Sequence, residues 1–172
     1  MRKSRFMIRR LAITMLAFLC AASAYAQRAK TPHFADYPAT VEKVRVKSID
    51  FRRNPDARAF RTRLSEGLKG GVNFAGHYVV VGWGCGTGCV SGAIIDARTG
   101  NVYWADQFHS IGVWYDENTY TDKPVDYRKN SRLFIVSGSP GTKEGDAEKP
   151  QGVYHYEDNR LRLVKFVEKK AG

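Results

Sequence analysis

Beyond Gly71 the chain consists of short apolar runs separated by turn residues. His77 to Trp83 and Val90 to Ala97 are strand-like runs that face each other across a glycine-rich stretch. Arg98-Thr99-Gly100 marks a turn, and Asn101 to Ala105 predicts a further strand. Arg132 to Ser137 predicts another, with a hydrophobic centre. Gly152 to Tyr156 and Leu161 to Val167 flank the turn-like Glu157-Asp158-Asn159-Arg160. Before Gly71 the pattern changes. Val41, Val44, Val46 and Ile49 alternate imperfectly over Thr40 to Asp50 and predict a first strand. Asn54-Pro55-Asp56 then opens a helix in which Ala57, Phe60, Leu64 and Leu68 recur at helical spacing, with Arg58, Arg61 and Arg63 elsewhere on the wheel. Gly70-Gly71 stops it. Asp106 to Asn130 is aromatic and charged without a readable period, and Ser137 to Gln151 has the composition of a surface loop. The sum is an α+β fold: a mostly antiparallel sheet of six to eight strands with one short amphipathic helix.

The hairpin has a definite expected geometry. With Gly86-Thr87-Gly88 as a three-residue loop, Cys85 lies opposite Cys89, roughly 4.5–5.5 Å away at Cα and within disulfide range. Trp83 then faces Ser91, Gly82 faces Gly92, Val81 faces Ala93, Val79 faces Ile95 and Tyr78 faces Asp96. Alternation places His77, Val79, Val81, Trp83 and Cys85, with Cys89, Ser91, Ala93, Ile95 and Ala97, on one apolar face. Tyr78, Val80, Gly82 and Gly84, with Val90, Gly92, Ile94 and Asp96, form the other. Gly82, Gly84 and Gly92 bare the backbone there, for a ligand or for the helix to pack on. The opposed Tyr78 and Asp96 suggest a hydrogen bond that pins the strand pair.

The first 26 residues read differently. Arg2, Lys3, Arg5, Arg9 and Arg10 precede an apolar run from Leu11 to Ala22, and Ala24-Tyr25-Ala26 fits a small-x-small cleavage site. This is the pattern of a cleaved secretory signal over 1–26. It would leave an extended arm over 27–39, a single α+β domain over 40–172, and no membrane-spanning segment. Of the three cysteines, Cys20 would leave with the signal, so Cys85 and Cys89 would be the only pair in an oxidising compartment. The expected location is periplasmic or secreted. After cleavage 23 basic residues stand against 17 acidic ones, and the excess lies wholly within Gln27 to Lys69. An exported basic segment suits an anionic envelope polymer or an envelope protein, and export removes the chain from nucleic acid.

Several chemistries compete for the Gly82-x-Gly84-x-Gly86-x-Gly88 run and its cysteines. A phosphate loop is excluded, because no helix follows and no Gly-Lys-Ser/Thr tail is present. A thiolate nucleophile needs a histidine close to Cys85 or Cys89. Two thiolates and a histidine would suit soft Cu(I), but no second cysteine pair or spaced histidine pair completes a zinc set. No cofactor motif and no catalytic residue emerge.

Gly71-Val72-Asn73-Phe74-Ala75-Gly76-His77-Tyr78, followed by Trp83-Gly84-Cys85-Gly86-Thr87-Gly88-Cys89 and Gly92-Ala93-Ile94-Ile95-Asp96, resembles a family of exported bacterial β-rich proteins with no assigned activity. The resemblance covers about residues 70–105 and implies an exported β-rich domain. The expectation is therefore a non-enzymatic exported binding or interaction protein presenting a disulfide-tipped hairpin. Its candidate site is Trp83, Gly82, Gly84, Gly86, Thr87, Gly88, Gly92, Tyr78 and Asp96. The alternative is an envelope thiol enzyme or soft-metal carrier using Cys85 and Cys89.

Overall fold

A computed structural model describes residues 31–44, 48–113, 123–142 and 147–169. The signal-like segment over 1–26 lies outside the described residues. Contacts divide the chain into Met1–Pro32 and His33–Gly172, and the fold is that of the second unit.

Two antiparallel sheets and one helix make up this unit, as the α+β pattern predicts. β1 (Tyr78–Gly86) and β2 (Cys89–Asp96) form the long hairpin. The other edge of β2 is shared by two short strands. β3 (Val102–Tyr103) pairs with Ile94 and Ile95 at the hairpin root, and β4 (Ile111–Gly112) pairs with Cys89 and Val90 near its tip. The second sheet runs in the order β5 (Val125–Tyr127), β6 (Leu133–Gly138), β7 (Gly152–Glu157), β8 (Arg162–Glu168). A bridge between Gly112 and Ser139 joins the two sheets, with hydrogen bonds in both directions at 2.8 and 2.9 Å.

The helix follows the apolar spacing closely. Pro55–Phe60 is a 3-10 turn that leads into α1 (Arg61–Lys69), burying Ala57, Leu64 and Leu68. Gly70 caps it and Gly71 adopts φ 76°, the left-handed backbone that glycine tolerates. Gly67 lowers the intrinsic helix propensity by about 1 kcal/mol relative to alanine. Its missing side chain lets α1 approach β1: a Cβ there would fall 2.5 Å from Val81 Cγ2.

Sheet one is covered on both faces. Val79, Val81, Ala93 and Ile95 pack with Ile49, Ala57, Leu64 and Leu68. Val80 and Ile94 pack with Phe74, Phe108, Phe134, Val136, Tyr154 and Tyr156 of the core shared with sheet two. The helix therefore sits on the Val79–Val81 face and not on the glycine face.

One expectation is corrected. No strand forms in the described part of Thr40 to Asp50, and residues 45–47 lie outside it. Val41 is exposed, and the Glu42 N–H donates to the Gly76 carbonyl, so this segment bonds to a loop rather than to a sheet ladder. The described part of the amino-terminal arm is fastened down. Phe34–Asp36 is a 3-10 turn, the Ser131 hydroxyl donates to the carbonyls of Phe34 and Tyr37, and Arg132 donates to that of Pro38 at 2.6 Å.

Candidate functional site: the hairpin tip and its flanks

Along the hairpin the register agrees with expectation at Tyr78–Asp96, Val79–Ile95, Val81–Ala93, Gly82–Gly92 and Trp83–Ser91. It departs at the tip. Gly86 pairs with Cys89, Gly84 pairs with Val90, and Cys85 is the extra residue of a bulge. The loop is therefore Thr87-Gly88 and not three residues. Gly88 at φ 67° supplies the left-handed turn position. Cys85 and Cys89 are joined by a disulfide with their Cα atoms 5.1 Å apart. The bulge lifts Cys85 off the core face to which strict alternation assigned it, and its side chain is exposed.

The tip is held on its other side as well. Val113 N–H donates to the Gly88 carbonyl at 2.7 Å, and Cys89 Sγ lies 3.5 Å from Ser110 Oγ in a hydrogen bond. Ser110 also lines a cleft of about 620 Å³ between the β4 region and the loop after β6. Ser139, Thr142, Glu148, Lys149 and Gln151 complete most of its polar wall. Ser139 Oγ donates to the Lys149 carbonyl at 2.5 Å, tying the cleft's two strands of chain together. Sequence reasoning missed this cleft. Its only signals were the loop prolines Pro140 and Pro150, and β4 is too short to carry a period.

The expected site residues fall into three places. Gly82, Trp83, Gly84, Gly86, Thr87 and Gly88 gather at the tip, where all but the half-buried Trp83 and Gly88 are exposed. Gly92 is a packing position: a Cβ there would overlap the Phe108 ring and press on the Val81 carbonyl. A Cβ on Gly82 would lie under the same ring, 3.7 Å from Phe108 Cζ, at ordinary contact distance. Phe108 thus fills the buried part of the bared backbone, where the helix or a ligand had been expected. Tyr78 and Asp96 lie at the root, roughly 25 Å from the tip by strand rise.

The root forms its own polar cluster. The Asp96 carboxylate accepts the Arg98 N–H at 2.8 Å, and the Arg98 guanidinium approaches both of its oxygens at 3.3 Å. Burial pushes the Asp96 carboxyl up, but the hydrogen bonds and charge of Arg98 outweigh it and hold the group below the usual carboxylate range. The pin thus runs from Asp96 to Arg98 within the turn. Burial, reinforced by the Asp96 charge, raises the Tyr78 phenol. His77 Nδ1 lies 2.9 Å from Glu42 Oε1, and Arg98 Nη1 lies 3.7 Å from the same oxygen. These contacts tie the amino-terminal segment to the hairpin base.

On the helix side of the tip, Trp83 stacks on Phe60 at 4.8 Å between ring centroids, and Trp104 meets both rings at 5.4 and 6.2 Å. The Arg63 guanidinium lies 5.9 Å from the Trp83 ring centre, and that of Arg61 lies 4.4 Å from the Phe51 ring centre. Helical spacing put Phe60 on the core face, but the involvement of Trp104 required the tertiary fold.

Among the described residues no group of three or more His, Cys, Asp or Glu side chains is placed to hold a metal ion. No described helix is long and apolar enough to cross a membrane. No protein-family model, curated protein or solved structure matches the chain.

Proposed function

We propose that this is an exported binding protein, not an enzyme, and that the disulfide-braced hairpin tip is its recognition element. One observation carries the reading. From Gly82 to Thr87 the hairpin runs beyond its core and is exposed except at Trp83, yet it is fixed by a disulfide, by β4 and by the Ser110 contact. A tip fixed in advance loses little conformational entropy on binding, which is the main advantage of preorganisation. The signal-like amino terminus and the resemblance to exported β-rich proteins support location in the periplasm or outside the cell. The partner is an envelope protein or an anionic envelope polymer, with the basic segment before Gly70 as a second docking surface.

The test has two parts. Alkylation of freshly isolated protein, read by mass spectrometry, should find no free thiol at Cys85 or Cys89. Two alkylated thiols would remove the brace and favour the thiol or soft-metal alternative. Cys85→Ser with Cys89→Ser should then lose retention of the envelope partner that the parent chain captures, while remaining folded. Equal retention by the folded double variant would contradict the role of the tip.

A further inference from the structure

We infer that the aromatic ledge of Phe60, Trp83 and Trp104, with Arg63 over Trp83 and Arg61, next to Phe60 in sequence, over Phe51, is a docking surface for an anionic polysaccharide. The inference rests on the exported binding role proposed above and names the ligand class for its helix-side flank.

The three rings are contiguous and all half-buried, at the rim where the core between α1 and sheet one ends. Aromatic rings that keep part of their surface in water offer an apolar platform with a negative face, which suits the C–H face of a sugar ring. Arg61 and Arg63 are exposed, and among the described residues neither is held in an ion pair. Their guanidinium groups lean over aromatic rings, so their orientation is set while their hydrogen-bond donors stay available to a carboxylate or phosphate. The surrounding chain reinforces the sign of the field. Asp50 to Lys69 carries six Lys or Arg against three Asp or Glu, and Asp50 is engaged by Arg52 and Arg53 at 3.7 and 3.6 Å.

Other polyanions fit less well. Insertion into a lipid surface needs an exposed apolar helix face, and the Leu64 and Leu68 side chains of α1 are buried in the core. Single-stranded nucleic acid uses the same pairing of rings and cations. Export of the chain selects the saccharide.

The full chain, titrated with polygalacturonate and followed by tryptophan fluorescence, should bind in a salt-sensitive manner and should ignore neutral dextran. Arg61→Gln with Arg63→Gln should weaken binding about tenfold, because two charge-assisted contacts are lost. Lys129→Gln with Arg160→Gln removes the same charge at exposed positions elsewhere and should change binding by less than about twofold. All four positions are on the surface, so the comparison does not depend on core packing. Equal weakening by the two double variants would reduce the effect to net charge and overturn the inference. So would binding of anionic phospholipid vesicles or single-stranded DNA in preference to polygalacturonate. If polygalacturonate fails to bind while the parent chain still captures an envelope partner through Cys85 and Cys89, the polysaccharide assignment falls and the tip's role stands. If both binding events are absent, the proposed function falls with it.

Discussion

The root and the tip of the β1–β2 hairpin share two strands and one ladder, but they are stabilised by different means. At the root, Val79, Val80 and Val81 face Ile95, Ile94 and Ala93, and all six are buried, α1 covering one face and the aromatic core the other. Burial of each valine or isoleucine is worth about 1.5–3 kcal/mol, so the root alone accounts for a large share of the fold. At the tip the side chains are glycine, threonine and cysteine apart from the half-buried Trp83, and most of the backbone lies in water. There a five-residue disulfide ring worth about 2 kcal/mol by loop entropy replaces the core. The contrast shows that the tip has little to do with holding the protein together. Its rigidity is local and is available for recognition.

The largest expected effect lies just inside the root. Gly92→Val drives a side chain into Phe108 and against the Val81 carbonyl, and should cost about 3 kcal/mol in chemical denaturation. Unchanged stability with loss of partner binding would instead mark the glycine face as a site. Cys85→Ser with Cys89→Ser should cost about 2 kcal/mol at most and leave the far-UV spectrum intact. A loss comparable to that of Gly92→Val would erase the distinction between root and tip.

The pH profile sharpens the same contrast, because His155, Asp96 and the buried tyrosines lie in the core and at the root. Burial lowers the His155 imidazole below its ordinary 6.5, with the nearby Lys165 charge acting the same way against a hydrogen bond to the Lys165 backbone. The unfolded chain therefore takes up the proton first, and stability falls as pH drops below about 6.5. Asp96, held below 3.8, adds a further loss as pH falls through its folded value. Tyr154, Tyr156 and Tyr127 are raised by burial, so stability falls again as pH rises past about 10, where only the unfolded phenols ionise. Denaturation midpoints across pH should be flat between these limits. His155→Phe should flatten the step near pH 6.5, and the Cys85 and Cys89 variants should leave the profile's shape unchanged.

Much of this architecture was legible from residue patterns. The helix was readable because Ala57, Leu64 and Leu68 keep one face apolar, and the hairpin register because the glycine-rich turn lies midway between the apolar runs Tyr78 to Val81 and Ala93 to Asp96. The strand expected over Thr40 to Asp50 failed because its alternation was imperfect and the segment bonds to the Gly76 turn. β4 and β5, of two and three residues, are too short to show a period; β4 forms through the distant β2, and β5 through the neighbouring β6. The candidate site was half legible. Its glycines and cysteines announced the tip, but the bulge at Cys85 moved the sulfur to the outside. The Phe108 contact, the Trp104 neighbour and the Ser110 cleft all depend on long-range packing that local spacing does not encode.

The most direct measurement is hydrogen–deuterium exchange on the oxidised and the gently reduced protein. Reduction should raise exchange in Gly82 to Val90 and Ile111 to Val113, where the disulfide and β4 fix the tip, and leave Val79 to Val81 and Ala93 to Ile95 protected. Loss of protection through the root as well would contradict the account, because the disulfide would then be holding the fold rather than shaping its tip.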